Sequence, residues 1–464
     1  MPRLVIAAPA SGSGKTTVTT GLIAALRRRG RRVAPFKVGP DYIDPGYHRL
    51  AADRPGRNLD PVLVGEQRIC PLFAHGAAGA DIAVIEGVMG LFDGRTGAAG
   101  FGSTAHVATL LDAPVLLVVD ARGQGRSLAA LLHGFRGYDP AVRIAGVLLN
   151  QVGSIRHEQV LRDACAEIGL PVFGALGRTD TVHLPSRHLG LVPAAEHGGP
   201  ARQAVAAMAA LVTRSVDLDE VQRLADTAPA LATRPWDPAA EIGGARQDGA
   251  RKDTVDGPVL AVAGGAAFTF GYQEQAELFA AAGARVELVD PLRDESLPDG
   301  TAAVVLPGGF PEQHAADLSA NTALRDTVAT FARSGGVVHA ECGGLLYLVR
   351  ELDGHPMAGV LDATAAMRPT LTLGYRDAVA AGDSVPHRAG ERITGHEFHR
   401  TQVMPGAGDH PAWHWRDSAG EHVTEGFSVG RVHASYLHTH AAAHPETISR
   451  LVTAAGAVLS GGAR

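Results

Sequence analysis

The chain has 464 residues, 45% of them apolar and 19% charged, with a formal net charge of −6. At roughly 100 to 200 residues per domain this length holds two to four domains, and two is the working count. The composition excludes a fibrous or disordered chain, and the charge provides no global positive field for nucleic acid or an anionic membrane.

Cys70, Cys165 and Cys342 are too few and too scattered for a disulfide framework and suit a reducing compartment. The opening MPRLVIAAPASG has too short an apolar run for a secretory signal, and no stretch of about 18 apolar residues follows. The expected setting is cytoplasmic, with no membrane and no nucleic-acid partner. Arg27 to Arg32, interrupted only by Gly30, read as the solvated end of a helix whose dipole they complement.

In chain order, LVIAA, VAPFKV, DIAVIEG, PVLLVVDA and RIAGVLLN read as buried parallel strands joined by helices. That alternation predicts a doubly wound α/β domain over residues 1–218. Residues 219–257 are polar, rich in Pro and Gly, and aperiodic, which predicts a linker. A second α/β domain is expected over 258–464. VLAVAG, ARVELVD, AAVVLPGG and GGVVHAE supply its strands, with helices near 272–282 and 313–334.

The segment APASGSGKTT follows the first strand and precedes a helix, the context in which backbone amides cradle phosphates. Gly12 and Gly14 permit close approach, Lys15 reaches the outer phosphates, Thr16 ligates Mg²⁺, and Ser13 and Thr17 complete the loop. Pro9 stands where the standard pattern opens with glycine, a change that leaves the binding amides in place. Magnesium needs hard oxygen ligands, and acidic residues recur at strand ends: Asp41, Asp44, Glu86 and Asp93. Asp41 and Glu86 are the favoured metal ligands. Asn150, closing RIAGVLLN, is placed to read an adenine edge.

In VVHAECGGLLYL, Cys342 sits between a strand and a helix, an elbow that exposes a nucleophile, and the helix N-terminus is expected to lower the thiol pKa. VVLPGGFPEQH supplies Gly308 and Gly309 for a developing oxyanion, and VHASYLHTH supplies His438 as the base. A rival reading makes His433, His438 and His440 metal ligands, but no nearby Cys or acid completes that set. Cys70 and Cys165 have no comparable surroundings and read as structural.

In combination, the ATP loop, PFKVGPDYIDP, IEGVMGLFDG, LPGGFPE, AECGGLLYL and ASYLHTH closely resemble the glutamine-dependent cobyrinate and hydrogenobyrinate a,c-diamide synthases of cobalamin biosynthesis. The resemblance runs over nearly the whole chain outside the linker. It implies an N-terminal dethiobiotin-synthetase-like ATP domain and a C-terminal class I glutamine amidotransferase domain. It also implies that Cys342 forms a glutamyl thioester with His438 as proton carrier, and that the Gly309 and Gly343 amides hold the oxyanion. Ammonia then meets an acetate side chain of the macrocycle that ATP has phosphorylated. Lys37, Asp44 and Asp93 are assigned to substrate or phosphate handling. The implied partners are ATP with Mg²⁺, glutamine and a corrinoid, and a homodimer is compatible with these features.

Two departures stand out. Many class I amidotransferases carry Glu two residues after the catalytic His, where this chain has His440, and Ala340 stands where the elbow often has glycine. Cobyric acid synthase, nickel-sirohydrochlorin a,c-diamide synthase and a partner-switching scaffold ATPase are the alternatives. The scaffold class carries a signature Lys near the loop start, where this chain has Pro9-Ala10-Ser11. The wording of the motifs favours the cobalt-free substrate.

Overall fold

The apolar runs become strands where the sequence predicts them. The computed structural model describes residues 1–178, 186–187, 190–245 and 257–461. It divides into two compact units, Met1–Trp236 and Asp237–Arg464.

In the first unit, β1 (Arg3–Ala7), β2 (Val33–Val38), β3 (Arg57–Leu59), β4 (Ile82–Glu86), β5 (Val115–Asp120), β6 (Ile144–Val152) and β7 (Val172–Gly177) form one sheet. Its order is β3-β2-β4-β1-β5-β6-β7, and every neighbouring pair is parallel. The chain winds both ways from β1, so right-handed crossovers cover both faces with helices. That double cover explains why β1, β2 and β4 are buried at every residue and read as unbroken apolar runs. Three-residue β3 and glycine-containing β7 fell outside that pattern.

Helix α1 (Lys15–Arg28) buries Val18, Leu22, Ile23 and Leu26, and carries Arg27 and Arg28 in its last turn. Gly30, at φ 82°, ends it as expected. Helix α2 (Asp44–Ala52) begins with Asp44 and buries Tyr47, His48 and Ala51.

The linker expected over 219–257 is structured over much of its length. Leu218–Asp226 is a helix whose N-cap, Asp217, accepts from Asp219 N and Glu220 N, and which buries Leu218, Val221 and Ala225. Pro238–Ala245 is a second helix. Between them Trp236 is buried and meets His75 edge-on, with ring centroids 5.1 Å apart. One narrow apolar stripe in a polar stretch hides such helices from a composition-based reading. Residues 246–256 of the expected linker lie outside the described residues.

The second unit carries a six-stranded sheet in the order Arg285–Val289, Val259–Ala263, Thr301–Leu306, Val337–Glu341, Val432–Ser435, Phe427–Val429. Its first five strands are parallel and the last is antiparallel. A long antiparallel hairpin, Thr364–Ala380 with Arg392–Met404, extends through Trp413–Arg416 and His422–Glu425 into another sheet. Among the described residues no helix is long and apolar enough to cross a membrane.

Candidate functional site

Residues 8–14 leave β1 and enter α1 through Gly14, the N-cap, at φ 95°. Gly12 is also left-handed, at φ 79°. These angles are what a loop needs to turn its amides inward, and they favour glycine. A Cβ on Gly14 would lie 2.2 Å from Asn150 Nδ2. Asn150 donates from that nitrogen to Ser13 O (3.0 Å) and accepts from Gln151 N (3.0 Å). It braces the loop. Ser13 Oγ donates to Ala10 O at 2.9 Å. Thr17 lies half-buried in the first turn of α1.

Lys15 Nζ donates to Met89 O and reaches Ala10 O at 3.5 Å. Burial, and then Lys37, pull its pKa down to about 8. Thr16 Oγ1 stands 2.8 Å from Glu86 Oε1 and 3.2 Å from Asp44 Oδ2. Into the same cluster Lys37 Nζ donates to Asp44 Oδ2 (2.6 Å), Glu86 Oε1 (2.9 Å) and Gly87 O (3.1 Å).

Burial opposes the charge on Lys37, but Asp44, Glu86 and Asp41 outweigh it and hold the ammonium above its ordinary range. Burial likewise opposes ionised Glu86, which Lys37 and His48 outweigh, keeping that carboxyl well below the usual range. Asp44 bears the strain of the cluster, pushed up by burial and the Asp41 charge against the pull of Lys37.

Of the two acids favoured as metal ligands in the sequence, Glu86 lies beside Thr16 and Asp41 is held in a turn. Asp41 Oδ1 accepts from Ile43 N and Asp44 N, forming the turn into α2, and its Oδ2 is 3.6 Å from Lys37 Nζ. Asp44, one turn on, is the acid beside Thr16. Asp93 Oδ2 accepts from Gly90 N at 2.9 Å and shapes the loop after β4. His48 escaped the sequence reading. Its Nε2 meets Glu86 Oε2 at 2.7 Å, both side chains fully buried. The available signal was its place four residues after Asp44, on the same helix face.

In the second unit, Cys342 sits at φ 48° and ψ −100° between the strand Val337–Glu341 and the helix Gly343–Leu348. This strained elbow is held by Cys342 N donating to Ser435 O at 2.7 Å. A Cβ on Gly343 would lie 2.8 Å from Gly309 N, and one on Gly309 would lie 2.1 Å from Ala267 O. Glycine at 343 therefore lets the residue after the nucleophile approach the Gly309 main chain, and glycine at 309 lets that main chain approach Ala267 and Phe268. A Cβ on Gly308 would lie 2.3 Å from His438 Cε1, so the same glycine pair borders the imidazole.

The expected lowering of the thiol pKa is corrected. Burial, then Glu312, push Cys342 well above the ordinary thiol range, and the Gly343 amide opposes them only partly. The six-residue helix behind it is too short to outweigh that burial. His438, fully buried, is pulled down to about 4 by burial, with Glu341 opposing.

His438 Nδ1 lies 3.9 Å from Glu341 Oε2. Glu341 Oε1 accepts from Thr439 Oγ1 (2.7 Å) and Thr439 N (3.2 Å), with His339 Nε2 at 3.5 Å. Glu341 also escaped the sequence reading, since its partners lie 98 residues on. Glu397, which adds to the field on Cys342, is bound by Arg376 Nε at 2.6 Å with His399 Nε2 at 3.5 Å.

The three histidines of the rival metal reading separate. His440 stacks on Tyr272 and faces Glu274 at 3.9 Å, and His433 stacks on His339. Cys70 Sγ is 3.2 Å from Leu110 O, and burial pushes the Cys165 thiol up to about 11.

Residues 4–192 match the family described as the CobQ/CobB/MinD/ParA nucleotide binding domain. Residues 259–446 match the CobB/CobQ-like glutamine amidotransferase domain. The chain is 59% identical over 453 residues to a hydrogenobyrinate a,c-diamide synthase of Mycobacterium tuberculosis, covering 97% of each. It is 57% identical to one of Streptomyces coelicolor, again covering 97% of each. It is 45% identical to a cobyrinate a,c-diamide synthase of Gloeobacter violaceus, covering 94% of this chain and 93% of that one.

Proposed function

The chain belongs to the family of hydrogenobyrinate and cobyrinate a,c-diamide synthases, and from that premise we infer that it amidates the a and c acetate carboxylates of such a macrocycle, using ATP and glutamine. It is a carbon–nitrogen ligase with a nucleotide-binding domain followed by a glutamine amidotransferase domain. The higher identity to proteins named for hydrogenobyrinate favours the cobalt-free substrate.

In the glutaminase half, His438 takes the Cys342 proton as the thiol attacks the glutamine side-chain carbonyl. The developing oxyanion is received by the Gly309 and Gly343 amides. Ammonia leaves with the returned proton, and water hydrolyses the thioester to glutamate. The raised thiol pKa means that the thiolate forms only as His438 accepts its proton, which limits adventitious reaction of Cys342. Because Cys342 must remain a thiol, a reducing, cytoplasmic setting belongs to the same proposal.

In the synthetase half, the loop amides from Gly12 to Thr17 and Lys15 hold the ATP phosphates, with Asn150 beside them for the adenine edge. The substrate carboxylate attacks the terminal phosphorus, ADP leaves, and the acyl phosphate then loses phosphate to ammonia. Free carboxylate has no such leaving group. Thr16 Oγ1, Glu86 Oε1 and Asp44 Oδ2 are hard oxygens fit for magnesium, and Lys37 already places a cation among the carboxylates. Among the described residues no three His, Cys, Asp or Glu side chains form a complete cage, as suits an ion that takes phosphate oxygens and water as well. Magnesium, when bound, offsets charge on the transferring phosphoryl group. Lys37 and Asp93 orient the reacting groups, and His48 holds Glu86.

The observation that carries this reading is the Cys342 elbow, whose next residue meets Gly309 while Gly308 borders His438. The test supplies ATP, Mg²⁺ and glutamine with hydrogenobyrinic or cobyrinic acid in separate reactions, analysed by mass spectrometry. Two amidations are expected. Cys342→Ala should abolish them with glutamine and keep them with ammonium. An unchanged mass for both macrocycles would refute the substrate assignment.

A further inference from the structure

Two residues beyond His438 the chain has His440, which is engaged with Tyr272 and Glu274. The carboxylate that faces His438 comes from another strand. We propose that Glu341, the residue immediately before the nucleophile, is the positioning residue of His438, an inference that rests on the glutaminase roles proposed above.

The strand register makes this arrangement. Val337–Glu341 pairs in parallel with Val432–Ser435, setting Glu341 opposite Ser435. Three residues past Ser435 the chain reaches His438, whose backbone exchanges two 2.9 Å hydrogen bonds with His396. That pairing fixes the main chain of His438 and leaves its ring to be oriented by what surrounds it. Glu341 Oε2 lies 3.9 Å from the ring Nδ1. The other carboxylate oxygen is occupied: Thr439, the next residue along, donates to Oε1 through both its hydroxyl and its amide.

His339, two residues before Glu341 on the same strand, closes on Oε1 at 3.5 Å. Burial works against the ionised carboxyl, but His339, His438 and Thr439 outweigh it and hold it below the ordinary range. The titratable groups whose fields reach His438 are Glu341, His399 and Glu397, while His396 lies on the paired strand. Of these, Glu397 is already bound to Arg376.

A carboxylate on the Nδ1 side favours the ring proton there, which makes Nε2 the nitrogen that receives the thiol proton, and it stabilises the imidazolium that results. Through the elbow, the same short segment supplies the nucleophile and orients its base.

The test compares Glu341→Gln, Glu341→Asp and Thr439→Val in the full chain, with glutamine and with ammonium as nitrogen donor. Glu341→Gln should lower glutamine-dependent kcat on the order of 10²-fold or more with KM for glutamine held. Because Glu341 raises the His438 pKa, its acid limb should also move to lower pH. Glu341→Asp should recover part of the rate. Thr439→Val should lose less and shift the limb in the same direction.

A Glu341→Gln enzyme with normal glutamine-dependent kcat and pH profile overturns the proposal, as does one altered only in KM. If that variant also loses ammonium-dependent synthesis, Thr439→Val decides. A shifted limb in a normally melting protein upholds the role, and an unshifted one overturns it. Glutamine-dependent product from Cys342→Ala would instead refute the underlying glutaminase reading.

Discussion

Replacing Gly308 with alanine tests the placement of His438 without removing any catalytic group. The added methyl would lie 2.3 Å from His438 Cε1 and 3.2 Å from Phe270 Cβ, whereas ordinary contact begins at 3.4 Å. Gly308 is not left-handed, so the backbone accepts alanine and the strain falls on the ring. The imidazole must retreat by about 1 Å, a misplacement that costs on the order of 10²-fold in rate. The packing strain itself is about 1–3 kcal/mol, within what a domain tolerates. The assay follows glutamate release and amide formation with glutamine, beside amide formation with ammonium. The expected result is loss of the first two with the third intact and a cooperative thermal melt. A glutamine-dependent rate equal to that of the unsubstituted enzyme would refute the argument that this contact fixes the ring.

Three further substitutions probe the rest of the molecule. Gly14→Ala forces a methyl to 2.2 Å from Asn150 Nδ2 at φ 95°, so synthesis should fail with glutamine and ammonium alike while glutamate release persists; unchanged KM for ATP would contradict it. Lys37→Met leaves buried Asp44 and Glu86 without their ammonium and should destabilise the first unit by about 3–5 kcal/mol in denaturant titrations; an unshifted midpoint would argue against a paired cluster. Burial raises Glu425 to about 8 despite hydrogen bonds from Ser435 and Tyr436. The folded form thus holds its proton more tightly than the unfolded chain, and that stabilisation, full below the ordinary carboxyl pKa of 4.5, fades as pH rises to about 8. Glu425→Gln should melt like the unsubstituted protein at pH 5 and above it at pH 8, and equal melting at both would sink this reading.

The parallel strands and both glycine-flanked loops were legible because each signal is local. A run such as VAPFKV marks a strand buried on both faces, and Gly14-Lys15-Thr16 carries its chemistry within three residues. The long hairpin was less legible: its strands break register between Met367 and Thr372, and many positions of Thr364–Ala380 are only half-buried, blurring any alternation. Glu341 was invisible for a different reason. A strand-end Glu beside a Cys is unremarkable until a second strand brings His438 and Thr439 to it. The thiol pKa was misjudged because helix position is local, whereas burial and Glu312 belong to the tertiary structure. The sequence favoured Asp41 over Asp44, and only the turn into α2 shows that Asp44 is the one beside Thr16.

The pairing of Val337–Glu341 with Val432–Ser435 also sets a schedule for the growing polypeptide. Ribosomal synthesis delivers the whole phosphate loop and its acids by residue 93, and Asn150 soon after, so the first unit can fold while the second is still being made. Cys342 emerges long before its proposed base, and its elbow lacks the Ser435 carbonyl until the late strand docks. A nascent or prematurely terminated chain therefore carries Cys342 without the strand that holds its elbow and without its proposed base.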